Sequence, residues 1–223
     1  FSRKIDSQDE DIGSREVIRN ARELVWYPSE VDTSIRTGWF YHPEEDTAVR
    51  TSDELLDIYL DAVGANASLL LNIPPDTHGR IAAPDCASLA ELGAKIRQIF
   101  ASNVTEKAAI TADSAIAQHP ITQAVDGMAD TYWQAAYGQE FDTITLKFPK
   151  PQKVSCVVLG EHLPTGQRIE SGEIWADGSK VSEFTVVGHK RICRFAPVEV
   201  LTLTIKITAS RTEPTLRLLA VYQ

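Results

Sequence analysis

Apolar side chains recur at helical spacing in the first half of the chain and at strand spacing in the second. Leu55, Leu56, Tyr59, Leu60 and Val63 line one face of a helix, with Thr51 and Glu54 placed as a capping box before it and Gly64 as its stop. Leu89, Leu92, Ile96, Ile99 and Phe100 repeat at the same spacing behind Pro84, which suits a first helical turn, and predict a second helix reaching to Ser102. Between them Ser68–Ile73 is a short, nearly unbroken apolar run closed by Pro74-Pro75-Asp76, the pattern of a parallel strand buried on both faces. Another strand is expected within the β-branched and aromatic stretch that opens at Val25 (VWYPSEVDTSIRTGWFYHP), with Gly38 and Pro43 marking its exit loop. Residues 1–15 read as an exposed polar loop and Glu16–Leu24 as a short helix.

Strand, helix, strand and helix make two β/α repeats, and a closed barrel of such repeats needs eight over about 250 residues. Residues 1–106 are therefore expected to be the C-terminal portion of a (β/α)8 barrel whose earlier strands precede Phe1. Beyond Glu106 the periodicity changes to short alternating runs, TITLKF, VSCVVL, EIWAD, EFTVV, LTLTIKI and LRLLAVY, separated by turn residues. Residues 107–223 are expected to be an all-β sandwich. The fold class is multidomain, α/β followed by all-β. Trp133 and Trp175 fall within strand patterns and are expected in the core.

Charge sharpens this division. Residues 1–106 hold 19 Asp and Glu against 10 Lys and Arg, whereas residues 107–223 hold 12 of each, so the net charge of −9 comes from the first half. Neither half has the clustered basic residues that a phosphate backbone requires, which argues against a nucleic-acid partner. No stretch approaches the roughly 20 apolar residues of a membrane span. Cys86, Cys156 and Cys193 show no paired ligand spacing and are expected to be free buried thiols.

Candidate chemistry concentrates on the strand near residue 30. Its pleat places Glu30, Asp32, Ser34 and Arg36 on one face and Val31, Thr33 and Ile35 on the other. If the apolar face packs under helices, the charged face points into the barrel, where unpaired charge is costly. Glu30 and Asp32 are then either a structural ion network or ligand contacts. Arg36 and the loop after it lie at the end where barrels gather their functional groups. Trp39 is the leading contact, because an indole covers the apolar side of a sugar while polar neighbours fix its hydroxyls. Asn72, ending the next strand, either donates into the same mouth or caps its turn. Asn66-Ala67-Ser68 and Asn103-Val104-Thr105 match glycosylation acceptors but adjoin predicted core elements.

The blocks WYPSEVDTSIRTGWFYHP and VGANASLLLNIPPDTHGRI resemble glycoside hydrolase family 29, the α-L-fucosidases, and within it the α-1,3/1,4-cleaving type. The resemblance implies a retaining exo-hydrolase that removes terminal fucose through a glycosyl-enzyme, with an Asp nucleophile and a Glu acid/base. Nothing in residues 1–25 matches the Trp-x-Asp-Gly context of that nucleophile, so both carboxylates are expected before Phe1 and no catalytic residue is assigned here. It also implies fucosylated glycans as substrates, the remaining part of the same catalytic domain as partner, no required cofactor, and a periplasmic or extracellular location.

The second half, with AVDGMADTYW, GEHLPTGQRIESGEIW, GHKRICRF and SRTEPTLRLLAVY, resembles discoidin-like (factor 5/8 type C) domains of the galactose-binding-like jelly-roll type. This implies loop-borne sugar contacts, for which Arg168 and Arg211 are candidates, and a structural calcium, for which Asp126, Asp130 and Glu161 are candidates. A buttressing role without sugar is the other reading of this half. For the whole chain the alternatives to an enzyme are a non-catalytic lectin-like module and an inactive fucosidase homologue.

Overall fold

A computed structural model describes residues 29–223 together with Arg19 and Arg22. The expected loop over 1–15, helix over Glu16–Leu24 and start of the strand at Val25 fall outside the described residues, those two arginines apart. The described chain is mostly β-sheet with few helices, and residues 29–100 and 101–223 belong to separate compact units.

In the smaller unit, β1 (Glu30–Ser34) pairs in parallel with β2 (Ser68–Asn72), Glu30 opposite Ser68 and Ser34 opposite Asn72. Helix α1 (Ser52–Val63) lies on the crossover between them, which makes a βαβ unit. The capping box forms as expected: the Glu54 N–H donates to Thr51 Oγ1 and the Thr51 N–H donates to Glu54 Oε2 at 2.7 Å. Gly64 ends the helix in a right-handed conformation, and the left-handed residue is Asn66 (φ 73°), so the chain reverses two residues later than a glycine C-cap predicts. Helix α2 spans Ala83–Ile99 with Pro84 in its first turn.

The core of this unit is Ile35, Leu55, Leu56 and Leu92, with Val49, Leu71 and Ile96 against it. The helices thus cover one face of the parallel pair. The other face differs from the expectation of a strand buried on both sides: Leu70 is 53% exposed, because among the described residues β1 and β2 pair only with each other as a two-stranded sheet.

The larger unit holds a six-stranded sheet in the order β10-β5-β8-β6-β7, with β3 also paired to β5, and a two-stranded sheet of β4 and β9. Its strands are β3 (Ala109–Ala112), β4 (Trp133–Gln134), β5 (Asp142–Gly160), β6 (Ile169–Ala176), β7 (Ser179–Phe184), β8 (Arg191–Ser210), β9 (Thr215–Leu216) and β10 (Leu218–Tyr222). The pairings are antiparallel. Two expected strands, TITLKF and VSCVVL, prove to be one: β5 runs through Pro149 and Pro151, and its register against β8 shifts between Lys147 and Gln152. Proline removes the ladder donor without ending the strand when that stretch is left unpaired.

Side chains alternate along β5 until Cys156–Gly160, where β8 and β10 flank it and every residue is buried. Trp133, Ile144, Leu146, Ile174, Leu203 and Ile205 sit at the centre of the core with no exposed surface. Gly172 is required by packing, since a Cβ there would lie 2.2 Å from the Phe184 ring and 2.6 Å from the Lys206 carbonyl. Trp175 does not join Trp133 in the core. It faces outward, with Lys206 Nζ 4.0 Å above its ring and its N–H donating to Glu173.

Candidate functional site

The C-terminal end of the parallel pair gathers the first group of candidates. Ser34 closes β1 and is the hub of the turn that follows. Its hydroxyl donates to the Gly38 carbonyl at 2.8 Å and accepts from the Arg36 N–H and from Asn72 Nδ2. Asn72 Nδ2 also donates to the Trp39 carbonyl at 3.0 Å. The side chain that ends β2 therefore fixes the backbone that carries Trp39, which is why the indole, half-exposed at 50%, stands at the strand ends. Phe40 beside it is 78% exposed.

Arg36 is 1% exposed and its donors are occupied. Nε donates to Asp85 Oδ2 at 3.1 Å, Nη1 to the His42 carbonyl at 3.2 Å, and Nη2 to Asp46 Oδ1 at 2.8 Å, with Asp85 Oδ1 2.9 Å from Nη2. The Tyr41 ring lies 4.8 Å from the guanidinium carbon. The guanidinium thus locks the loop 36–46 to the first turn of α2, where an acidic side chain also favours the helix dipole. Arg50 adds a second clamp, its Nε donating to the Ser34 carbonyl at 2.9 Å. Glu30 and Asp32 are exposed on the face of β1 away from the helices.

This group presents one aromatic platform, Trp39, on a loop held by Arg36 and Asn72. Sequence reasoning places Ser34 on the face with Arg36 but does not reveal its bonds, and it does not reveal Asp46 or Asp85. Only the Pro84-Asp85 pair at a helix start hints that a carboxylate stands there.

In the larger unit Arg168 and Arg211 are neighbours, the Arg211 N–H donating to the Arg168 carbonyl at 2.8 Å. Arg168 Nη1 donates to the Glu213 carbonyl, and Arg211 Nε to Glu170 Oε1. Glu161 is fully buried, and three backbone N–H groups donate to it: Arg168 and Ile169 to Oε1, Gly188 to Oε2. Burial raises its pKa above the ordinary carboxylate value against the pull of those bonds. Its oxygens serve the loop backbone, Asp126 accepts from Met128 and Thr131, and Asp130 lies exposed. Among the described residues no three His, Cys, Asp or Glu side chains come together as a metal-ligand set. The calcium candidates Asp126, Asp130 and Glu161 accordingly do not converge.

Next to Arg168 the rings of His119, Tyr132 and His162 stack at centroid separations of 3.8 Å, a feature with no signature in the sequence. Burial and the neighbouring His119 hold His162 below the usual imidazole pKa.

The family profile described as alpha-L-fucosidase matches residues 6–98. Alpha-L-fucosidase 1 of Arabidopsis thaliana is 32% identical over 209 residues, covering 88% of this chain and 41% of that protein. A Ruminococcus gnavus family 29 fucosidase solved in complex with fucose superposes with a TM-score of 0.83 at 27% identity, over 91% of this chain and 42% of its own. A glycoside hydrolase 29 family member from an unknown rumen bacterium superposes with a TM-score of 0.69 at 27% identity, over 88% and 33%. The chain thus spans less than half the length of each of these relatives. Sequence and structure comparisons agree on the alpha-L-fucosidases.

Proposed function

We infer that this chain belongs to the alpha-L-fucosidase family and forms part of a longer exo-acting enzyme that removes terminal L-fucose from glycans. The observation that carries this reading is the family match over residues 6–98 together with the Trp39 loop held at the ends of a parallel strand pair. Parallel strands with helices on one face are the construction of a (β/α)8 barrel, whose substrate groups stand at the strand C-termini. In this reading residues 1–106 close such a barrel and residues 107–223 are an accessory galactose-binding-like β-sandwich.

Trp39 covers the apolar side of the fucose ring and its methyl group. Arg36 and Asn72, whose donors are taken by the loop, act by positioning that indole. Glu30 and Asp32 face the barrel interior once the remaining strands surround it. Hydrolysis proceeds with retention. An Asp on the rest of the catalytic domain attacks the anomeric carbon while a Glu protonates the departing oxygen, and water then releases fucose from the covalent intermediate with the same Glu as base. The two carboxyls of a retaining pair stand about 5 to 5.5 Å apart. The Glu-Val-Asp-x-Ser-Ile-Arg block favours α-1,3 and α-1,4 linkages. Substrates of that kind are displayed outside the cytoplasm, which favours a periplasmic or extracellular enzyme.

The test is fucose release by the complete enzyme from 4-nitrophenyl α-L-fucoside and from a Lewis trisaccharide. Release from both supports the reading and its linkage preference. Release from the synthetic substrate alone overturns the linkage, and release from neither overturns the activity.

A further inference from the structure

A second place in the larger unit has the make-up of a binding site. A cavity of about 480 Å³ lies between β6, the end of β7 and the start of β8. This is within the roughly 300–1,000 Å³ of small-ligand clefts. It opens on the outward side of the sheet. Register places Glu173 opposite both Glu183 and Lys206, and Ile174, on the opposite face of β6, is in the core.

The lining combines hydroxyls, carboxylates and guanidiniums with apolar surface: Ser171 and Thr208, Glu173 and Glu183, Arg191 and Arg194, beside Phe184 and Ile192. Two glutamates facing each other across strands repel unless a cation lies between them. Lys180 supplies it, with Nζ 3.6 Å from Glu173 and 3.0 Å from Glu183. Ser171 and Thr208 hydroxyls bond each other at 2.8 Å, so each keeps a lone pair for a ligand. Beneath the mouth Arg191 is fastened to the Val186 carbonyl and the Thr185 hydroxyl, which stiffens the β7–β8 connection.

Each ligand class makes a different demand. A lipid needs a wholly apolar lining, whereas here carboxylates, guanidiniums and hydroxyls stand beside Phe184 and Ile192. An anion meets Glu173 and Glu183 at the rim, and a metal ion finds no set of three ligands among the described residues. Balanced charge, hydroxyls that can donate or accept, and an apolar strip at Phe184 and Ile192 suit a neutral polyhydroxylated molecule, which brings many hydroxyls and an apolar ring face together.

We propose that this outward cavity of β6, β7 and β8 binds a short neutral oligosaccharide. The lining sets the polyol class, and the choice of a glycan rests on the function proposed above.

The experiment is isothermal titration of the complete enzyme with lactose, maltotriose and sodium sulfate, repeated with Arg194→Ala and Thr208→Trp. At least one neutral saccharide should bind saturably. Arg194→Ala should weaken it about tenfold, and Thr208→Trp, which fills the cavity, should abolish it. Arg194 is exposed, so its variant tests the site even if Thr208→Trp fails to fold. Saccharide binding unchanged in Arg194→Ala, binding of sulfate alone, or no binding at all overturns the proposal. Fucose release by the complete enzyme should be unaffected by Arg194→Ala, so failure of the activity and failure of this site are read separately.

Discussion

Asp85, in the first turn of α2, holds Arg36 through both carboxylate oxygens, 3.1 Å from Nε and 2.9 Å from Nη2, and neither residue is more than 1% exposed. A charge pair removed from water in this way is costly to break, because one partner is left charged and dry. Asp46, which is partly exposed, supplies Arg36 with a second but wetter partner. Asp85→Ala should therefore destabilise the smaller unit by about 3 kcal/mol. Urea denaturation followed by circular dichroism measures this. The pair variant Arg36→Met with Asp85→Leu should lose less than Asp85→Ala alone, since the one charge that loses its partner, Asp46, is partly exposed to water.

Trp39 stands apart from that framework. Trp39→Ala should leave the unfolding midpoint almost unchanged, within about 0.5 kcal/mol, as surface changes usually do. In the complete enzyme it should lower kcat/KM for fucosides at least about tenfold, equivalent to about 1.4 kcal/mol. Asn72→Ala should lower kcat/KM as well, through the loss of the bond that holds the Trp39 carbonyl. Equal activity of all three proteins would remove Trp39 from the substrate site.

Glu161→Gln keeps the size of the side chain but replaces one acceptor oxygen by an amide that cannot receive an N–H. It should cost about 1 to 3 kcal/mol. The wild-type carboxyl has a folded pKa raised above its ordinary 4.5, so the folded state binds the extra proton. This group's contribution to stability is full below pH 4.5 and falls as pH rises through the higher folded value. Melting temperatures of wild type and Glu161→Gln across that window should therefore converge as pH rises. A gap that widens with pH would mean that the backbone donors outweigh burial.

Thiol titration tests the packing of the sheet. Cys86 is exposed, whereas burial pushes Cys156 to about 11 and Cys193 to about 12. At pH 8 a disulfide reagent should react rapidly with one thiol per chain, and with three only after denaturant is added.

Much of the smaller unit can be read from sequence because its signals are local. Thr51 and Glu54 announce α1 from three residues apart, and Ser68–Asn72 reads as a strand from its composition. Arg36 shows the limit. Its position at a strand end suggests a free functional cation, yet its partners are 10 and 49 residues away, and no periodicity reports them. The exposed face of β2 escapes its apolar composition for a similar reason, since burial on both faces depends on strands other than β1. In the larger unit the prolines at 149 and 151 suggest two strands where there is one, because proline forbids a donor, not an extended backbone. Trp175 lies outside the core for a reason of the same kind: alternation identifies two faces, and only the neighbouring strands decide which is inward.

The unpaired stretch Pro149-Lys150-Pro151 gives β5 a seam. Its three residues are exposed, and the ladder to β8 resumes at Gln152. Each half of the strand is held by its own pairings, the first with β3 and β8 and the second with β8 and β10. A foreign peptide spliced in at Lys150 would interrupt no ladder bond. This position is therefore where the chain can accept an epitope or a reporter with its architecture intact.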